Sequence, residues 1–329
     1  MLPIIAISIG DVHGIGPEVI LKAFDRSELF DICRPVVFGP AEVMQYSRSK
    51  LGIAVDLMEI DAPAGAKERS IGVIDVPGQF DPAGIGAPSA ESGRISVAAI
   101  EAAFEAVRSG AAQALVTAPI SKEAIAMAGS SYRGHTEMLA ALCDSDDVLM
   151  ILSSNTMNVG LVTIHVPLAE VAALITTDRV TRTIRIGHRA MREDFAIEDP
   201  KIAILALNPH AGDGGLLGGE EAAVIAPAVA AAVEEGFDVE GPFPADGFFS
   251  AHTQQMYDLI IAMYHDQGLV PFKLQAKGRG VNISAGLPIV RTSPDHGTAY
   301  NIAALGIANA ESMKEAVYFA RTIAMNRLP

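Results

Sequence analysis

Cysteine is scarce in this sequence, and its scarcity excludes two classes of protein. Only two cysteines occur in 329 residues, Cys33 and Cys143, and neither lies in a motif spaced for a metal or a redox pair. A disulfide-stapled secreted domain and a cysteine-ligated zinc domain are therefore excluded. We expect two free thiols in a reducing cytoplasm.

Basic residues are also few, with 24 Lys and Arg against 39 Asp and Glu and a formal net charge of -15. Such a charge repels nucleic acids and anionic membranes, so we expect neither as a partner. The longest apolar run, at residues 222–233, contains Pro227 and is shorter than the ~20 residues that a membrane-spanning helix needs. An anionic substrate would require a local group of basic side chains.

Short apolar, β-branched segments alternate with alanine-rich segments along the chain. Six of them predict buried strands, at residues 3–9, 35–38, 114–117, 161–166, 202–207 and 259–263. Residues 91–108 have the spacing of an amphipathic helix that ends at Gly110. The alternation predicts an α/β fold. Val19 replaces the third glycine of a G-x-G-x-x-G motif after the first segment, so no classical Rossmann domain is predicted.

Three of the predicted strands run into a histidine, namely His165, His210 and His265. In open α/β sheets, ligands bind beyond the carboxyl ends of the strands. Three imidazoles with coordination positions left open suit a catalytic divalent metal, whose shell Asp246 and Asp266 would complete or orient. Spacing alone does not distinguish this site from separate packed or surface histidines.

A stretch at residues 267–294 contains no Asp or Glu but includes four basic residues: Lys273, Lys277, Arg279 and Arg291. In so acidic a chain this stretch predicts a phosphate-binding group, to which Asn282 adds a neutral donor. A solvated basic surface is the alternative.

A second helix-like segment opens at residues 133–137, which include His135 and Thr136. Unpaired amides at a helix N-terminus bind anions well, so this segment is a further candidate for phosphate binding. The simpler interpretation is that Thr136 is an N-cap.

Six motifs run in order along nearly the whole chain: GD at 10–11 with GIGPE at 14–18, GHTE at 134–137, LNPHAG at 207–212, MYHDQG at 263–268, GVNI at 280–283, and RTS at 291–293 with DHGTA at 295–299. As a set, they resemble the 4-hydroxythreonine-4-phosphate dehydrogenase family of pyridoxal phosphate biosynthesis. The resemblance implies oxidation, with decarboxylation, of 4-phosphohydroxy-L-threonine to 3-amino-2-oxopropyl phosphate. The implied cofactors are NAD or NADP and a divalent metal, which would be zinc, cobalt, magnesium or manganese.

The fold that the resemblance implies is a two-domain α/β fold similar to that of the isocitrate and isopropylmalate dehydrogenases. A larger domain, from residues 1–128 and 270–329, would carry the nucleotide-binding loop. A second domain, from residues 129–269, would carry the metal ligands and the dimer contacts. The family also implies a cytoplasmic homodimer with shared active sites.

The resemblance assigns roles to individual residues. The implied metal ligands are His165, His210 and His265. The implied catalytic residues are these three histidines together with Asp246 and Asp266. The residues that would hold the substrate and its phosphate are His135, Thr136, Lys273, Asn282 and Arg291. The residues that would bind the nucleotide cofactor are Asp295, His296, Gly297, Thr298 and Asn309. The general base and the role of His13 are left unassigned.

Departures from the family pattern leave the substrate open. Val12 and His13 stand where the family typically has Pro-Ala. At these two positions the chain resembles a related branch that oxidises aromatic cis-dihydrodiols. Residues 270–273 and 311–313 resemble a branch that acts on D-threonate or D-erythronate 4-phosphate. The retained phosphate-binding residues favour a phosphorylated substrate. More distant alternatives are a metal-dependent hydrolase or aldolase and a non-catalytic phosphometabolite-binding protein.

Overall fold

The computed structural model describes residues 2–250 and 252–328, and within them it contains twelve strands and eleven α-helices. The strands are β1 (Ile4–Ser8), β2 (Arg34–Phe38), β3 (Leu57–Glu59), β4 (Ile71–Ile74), β5 (Ala114–Thr117), β6 (Leu149–Ser154), β7 (Met157–Leu161), β8 (Lys201–Leu205), β9 (Asp238–Phe243), β10 (Leu259–Ala262), β11 (Val281–Ala285) and β12 (Arg291–Pro294). This mixture confirms the predicted α/β class.

The α-helices are α1 (Gly16–Phe24), α2 (Ala41–Leu51), α3 (Ala90–Arg108), α4 (Lys122–Met127), α5 (His135–Leu142), α6 (Leu168–Leu174), α7 (Thr177–Glu193), α8 (Ala226–Glu234), α9 (Ala245–Ser250), α10 (His265–Ala276) and α11 (Glu311–Asn326). Shorter 3₁₀ turns lie at Glu28–Asp31, Pro63–Gly65, Pro82–Gly84, Pro209–Gly215, Thr253–Met256 and Tyr300–Ile302, and a π-helical turn lies at Glu221–Ile225. None of the helices in the described part is long and apolar enough to cross a membrane.

Two compact units divide the chain: unit 1 runs up to Asp146 and resumes at Leu287–Leu328, and unit 2 is Asp147–Gly286. The boundaries therefore lie later than the sequence-based ones at 128 and 269. At the second boundary the reason is visible in the secondary structure. Helix α10 continues past residue 269, and β11 pairs with β6 inside unit 2.

Unit 1 contains a parallel sheet of strand order β3-β4-β2-β1-β5-β12. Every residue of β1 is buried, as expected for a strand that is covered on both faces. Helix α3 packs on β1, β2 and β5, and α11 packs on β5 and β12. The Ser89 hydroxyl caps α3 by accepting from the Ser92 amide, and apolar residues such as Ile95 and Ala99 form its buried face. The helix predicted at 91–108 is thus confirmed.

Unit 2 contains a mixed sheet of strand order β11-β6-β7-β10-β8-β9. Strand β6 runs antiparallel to both neighbours, whereas β7, β10, β8 and β9 are mutually parallel. Its core includes Leu152, Val159, Ile260 and Phe272, all at most 1% exposed. Because the four parallel strands point the same way, the loops after them open at one edge of the sheet.

Five of the six predicted strands are confirmed within two residues, as β1, β2, β5, β8 and β10. The strand predicted at 161–166 was wrong, because β7 ends where that segment begins, at Leu161. The amides of Val162 and Thr163 still bond to the carbonyls of Ala262 and Met263, at 2.9 and 3.1 Å, but the chain is no longer a regular strand there. Among the described residues, Cys33 and Cys143 are both free, as expected.

Candidate active site

The three histidines of the predicted metal site follow three neighbouring strands of unit 2. Strand β10 lies between β7 and β8, and all three strands are parallel. His165 follows β7, His265 begins the helix after β10, and His210 lies in the turn after β8. The order of strands therefore brings all three histidine-bearing loops to the same edge of the sheet.

Two of these histidines are in contact. The ring centroids of His165 and His265 are 5.7 Å apart, a separation that one cation can bridge at metal–nitrogen distances of about 2.0–2.1 Å. The Nδ1 atom of His265 lies 2.7 Å from the Asp266 Oδ1 atom. A carboxylate on Nδ1 fixes the ring so that Nε2 faces outward as a ligand, which is the usual arrangement behind a metal-bound imidazole. The pair therefore fits a divalent metal.

The structure does not gather the third histidine with this pair. Within residues 2–250 and 252–328, no group of three or more His, Cys, Asp or Glu side chains is arranged to hold a metal ion. His210 and Asp246 are both exposed, although the helix that carries Asp246, α9, packs against the Pro209–Gly215 turn. The three-histidine metal site accordingly stays a prediction.

The turn that carries His210 has an unusual backbone. Six consecutive residues, His210–Gly215, have positive φ angles of 53, 54, 79, 44, 65 and 97°. The left-handed conformation costs roughly 1–2 kcal/mol for each residue that is not glycine, and three of the six are not. Surrounding contacts must hold such a turn in place, and strained segments of this kind concentrate at functional sites.

Three polar residues that tie the histidine-bearing loops together were missed by the sequence analysis: Thr163, Gln267 and Glu221. The Thr163 hydroxyl donates to the Met263 carbonyl at 2.7 Å. Gln267 accepts from the Met263 amide at 2.7 Å and donates to the Ala206 carbonyl at 2.6 Å, so it joins the ends of β10 and β8. Glu221 bonds to backbone 13 and 14 residues away, a distance over which no local pattern exists.

A charged group in unit 1 is built around Arg291, which lies on β12 and is 1% exposed. Its Nε and Nη2 atoms donate to the Thr117 hydroxyl, at the end of β5, at 3.2 and 2.7 Å. Burial lowers the pKa of the Arg291 guanidinium to about 9, so the group remains charged at neutral pH. A buried cation of this kind is a suitable partner for an anionic ligand.

His135 begins helix α5 and interacts electrostatically with Arg291. Burial, and then the Arg291 charge, lower the pKa of His135 well below its usual value, against a hydrogen bond with the Ala118 backbone that raises it. The imidazole is therefore neutral at neutral pH. Its Nε2 atom is shielded from solvent and finds no hydrogen-bond partner among the described residues, which leaves it available for a ligand.

Thr136 is the second residue of α5, and the N-cap position is occupied by Gly134. The interpretation of Thr136 as an N-cap was therefore wrong, because the N-cap lies two residues earlier. Residues with free amides in the first turn remain able to bind an anion.

The other predicted phosphate-binding residues lie in unit 2. Asn282 lies on β11, and its buried Oδ1 atom has no hydrogen-bond partner within the described residues. Lys273 is an exposed residue of the last turn of α10, and Lys277 and Arg279 are exposed just beyond it. Of the four cations in the acid-free stretch, only Arg291 is buried.

The predicted nucleotide loop interlocks with the N-terminal turn of unit 1. The Ile15 amide donates to the Thr298 carbonyl at 3.0 Å. A Cβ atom on Gly14 would lie 2.9 Å from both the Thr298 Cβ atom and the carbonyl oxygen, so only glycine fits there. Gly297 is exposed, and a Cβ there would meet no atom within 4 Å.

The remaining cofactor candidates have local partners. The Asp295 amide donates to the Ser312 hydroxyl at 3.0 Å, and the His296 Nδ1 atom lies 3.2 Å from the Gly297 carbonyl oxygen. The Asn309 side chain accepts from the amide of Glu311, the first residue of α11, at 2.9 Å. These contacts shape the loop, and the assignment of the residues to a cofactor stays a prediction.

His13 is buried beneath the segment before α3. Its Nδ1 atom lies 3.3 Å from the Ala87 carbonyl oxygen, and its own carbonyl accepts from the Gly86 amide at 2.9 Å. A Cβ on Gly84 would lie 2.4 Å from the ring, so the imidazole packs directly on that glycine. These contacts give His13 a packing role in unit 1.

Comparisons with known proteins extend over nearly the full length of the chain. A sequence profile of the family described as "Pyridoxal phosphate biosynthetic protein PdxA" matches residues 31–320. A 4-hydroxythreonine-4-phosphate dehydrogenase of Prosthecochloris aestuarii is 46% identical over 329 residues, with 98% of this chain and 97% of that protein covered. The crystal structure of a 4-hydroxythreonine-4-phosphate dehydrogenase from Klebsiella pneumoniae gives a TM-score of 0.89 at 40% identity, with 98% of both chains covered. A protein named "Putative D-threonate 4-phosphate dehydrogenase", from Oceanobacillus iheyensis, is 39% identical with 98% of both chains covered.

Proposed function

This chain belongs to the family of the pyridoxal phosphate biosynthetic protein PdxA, and we propose that it is a nicotinamide-dependent dehydrogenase of 4-phosphohydroxy-L-threonine. The reaction oxidises the substrate hydroxyl and, after decarboxylation, yields 3-amino-2-oxopropyl phosphate. Membership of a family of named dehydrogenases supports the reaction class.

The buried Arg291 carries the part of the proposal that concerns a phosphorylated substrate. Its guanidinium is fixed by hydrogen bonds to the Thr117 hydroxyl. The neutral His135 that interacts with it has a buried Nε2 atom without a hydrogen-bond partner among the described residues. A guanidinium and an imidazole together bind phosphate oxygens through charge-assisted and neutral hydrogen bonds. An aromatic cis-dihydrodiol without an acidic substituent carries no anion for this group to bind, so the group favours the phosphorylated substrates over such a diol.

The histidines of unit 2 support a divalent metal, with zinc, cobalt, magnesium and manganese as candidates. His165 and His265 would hold it, with His210 as the proposed third ligand and Asp266 orienting His265. When bound, a divalent cation supplies Lewis-acid polarisation of a hydroxyl oxygen, and NAD or NADP supplies the hydride acceptor. Lys273 and Asn282, the predicted substrate residues of this unit, would orient the substrate by remote binding energy.

Residues 295–298 with Asn309 are the proposed contacts for the nucleotide cofactor, supported by the close packing of Thr298 on the Gly14–Ile15 turn. Glu18 and Lys22 fix this segment from α1. The Ala308 amide donates to Glu18 at 2.8 Å, and Lys22 donates to the Ala308 carbonyl at 2.9 Å. Ala308, next to the proposed contact Asn309, is therefore fixed before any nucleotide arrives.

A second candidate substrate is D-threonate or D-erythronate 4-phosphate, which the 39% identical relative from Oceanobacillus iheyensis favours. These acids carry a hydroxyl where 4-phosphohydroxy-L-threonine carries an amino group. The requirements for phosphate, metal and nicotinamide are the same, so a few hydrogen bonds decide between them.

The direct test supplies the purified protein with NAD or NADP and a divalent metal. We expect absorbance at about 340 nm to rise with one of the three phosphorylated acids, because reduced nicotinamide absorbs there. Each acid is measured with and without chelator, and the rise should disappear with chelator. Hydrolysis or aldol cleavage without reduced nicotinamide would favour the metal-dependent hydrolase or aldolase. Binding without turnover, unaffected by chelator, would favour a phosphometabolite-binding protein.

A cytoplasmic homodimer with shared active sites is part of the proposal. Helix α10, which begins at His265, exposes Val270 and Leu274 by 56% and 73%. The two lie four residues apart, on one face of the helix. Exposed apolar side chains in a row of this kind mark interaction surfaces, and a second copy of the chain is the proposed partner.

We expect Leu274→Glu to convert the dimer to a monomer. A lone charge buried in an apolar interface costs roughly 3–5 kcal/mol, which raises the dimer dissociation constant by about 100-fold or more. Light scattering after gel filtration measures the mass. Leu305→Glu, at a leucine of unit 1 that is 63% exposed, is the matched control and should leave the mass unchanged. An unaltered dimer in Leu274→Glu would place the interface elsewhere.

A further inference from the structure

The His210 turn is held from beneath by one buried carboxylate, that of Glu221. Glu221 is 6% exposed and stands at the start of the π-helical turn Glu221–Ile225. Its Oε1 atom accepts from the amides of Leu207 and Asn208, at 2.9 and 2.7 Å. Its Oε2 atom accepts from the Asn208 side-chain amide at 3.0 Å. One carboxylate therefore fixes the last two residues before Pro209.

The same carboxylate packs against the inside of the left-handed turn. A Cβ on Gly212 would lie 2.8 Å from the Glu221 Oε2 atom. Gly212 is the third of the six consecutive residues with positive φ, and it is buried. Glu221 therefore contacts the chain both before His210 and two residues after it.

The donors around Glu221 match a carboxylate and not an amide. Three N–H groups point at its two oxygens, so both oxygens act as acceptors. A glutamine of the same shape has only one acceptor oxygen, and its NH₂ group would face at least one of these donors. π-Helical turns are rare and occur frequently at functional sites.

We propose that Glu221 is a positioning residue for His210: its carboxylate clamps the left-handed turn and thereby fixes where the imidazole meets a metal. The inference rests on the proposed metal-dependent function. Glu221 is not among the proposed metal or substrate ligands, and it acts through the backbone of Leu207 and Asn208. Loss of a group that orients a metal ligand typically weakens metal binding by about 10- to 100-fold. We expect an effect of the same size for Glu221.

The test is the affinity of the full-length protein for Co²⁺, followed by the visible absorption bands of the bound ion. Glu221→Gln should raise the Co²⁺ dissociation constant by about 10- to 100-fold. Glu220→Gln is the matched control, because Glu220 bonds to the Asn208 side chain at 2.8 Å but not to the two backbone amides. It should change the constant by less than about twofold.

A double-mutant cycle separates positioning from general destabilisation. If Glu221 acts through His210, then Glu221→Gln in a His210→Ala background should change Co²⁺ affinity by less than about twofold. The same 10- to 100-fold loss in that background would overturn the inference. So would full affinity in the single variant.

Hydrogen exchange of the metal-free protein tests the clamp separately from the proposed function. The amides of Leu216 and Leu217 donate to the carbonyls of Asp213 and Gly212, and their exchange should accelerate about tenfold or more in Glu221→Gln. Unchanged exchange overturns the clamp. Absence of Co²⁺ binding in the unaltered protein, with accelerated exchange in the variant, overturns the metal proposal and the role of Glu221 towards a metal, while the clamp itself stands.

Discussion

Replacing Arg291 with methionine should reduce kcat/KM for the phosphorylated substrate by about 30- to 3000-fold. Truncating one member of a buried, hydrogen-bonded charge pair costs roughly 2–5 kcal/mol, and each 1.4 kcal/mol is a factor of ten. Because the substrate's phosphate orients the reacting carbon, both kcat and KM should worsen. Steady-state kinetics from reduced-nicotinamide absorbance measure the loss.

The same substitution should leave the melting temperature of the unligated protein unchanged or higher. Burial lowers the pKa of Arg291, which means that the folded state disfavours its charged form. A methionine of similar length removes that cost, as apolar replacements of buried charges often do. Stabilisation by added inorganic phosphate should disappear. Arg279→Met, at an exposed arginine of the same acid-free stretch, should keep near-normal kinetics, and equal losses in both variants would argue against a specific role for Arg291.

Substitution of His210 by alanine should abolish the metal-dependent activity without unfolding the protein. Lewis-acid polarisation contributes several kcal/mol, so loss of a ligand should lower kcat by about 10³-fold or more. His210 is exposed, and substitutions at exposed positions usually change stability by at most about 0.5 kcal/mol. Turnover measures the activity, metal analysis measures the bound ion, and circular dichroism of the same sample measures whether the protein remains folded.

The positive φ of His210 requires a second variant, because alanine itself is strained in the left-handed region. Asparagine tolerates that region better, so His210→Asn should lose activity while keeping the turn. His252→Ala is the control: His252 is another exposed histidine of unit 2, with φ of 56°. Full activity in both His210 variants would remove His210 from the proposed metal ligands.

Elements that are buried on both faces could be predicted from the sequence, because their signal is local. Strand β5 consists of three apolar residues and Thr117, is buried throughout, and its bounds were predicted correctly. The end of β7 was not predictable, because the apolar run continues to Val166 while the chain leaves the sheet after Leu161. Where a strand ends depends on its neighbour, here on the carbonyls of Ala262 and Met263.

Strand β12 shows why polar core elements are missed. Its sequence, Arg-Thr-Ser-Pro, has the composition of a loop, yet all four residues are buried. Arg291 is buried because Thr117 accepts its hydrogen bonds across the sheet, and no periodicity in the sequence encodes that partner. The histidines after the strand ends could be found because each histidine follows its apolar segment directly in the sequence. Glu221 was missed because the backbone amides that it binds, at Leu207 and Asn208, lie 14 and 13 residues before it.

Because unit 1 is made from both ends of the chain, it cannot complete its sheet during most of translation. Strand β5 leaves the ribosome early, but its neighbour β12 and the covering helix α11 are made only after the whole of unit 2. At roughly 5–20 residues per second, the edge of β5 waits on the order of ten seconds or more for its partner. An unpaired apolar edge invites pairing with other chains, so the nascent protein passes through an interval in which chaperone protection matters most. Unit 2 is contiguous and can finish folding within that interval.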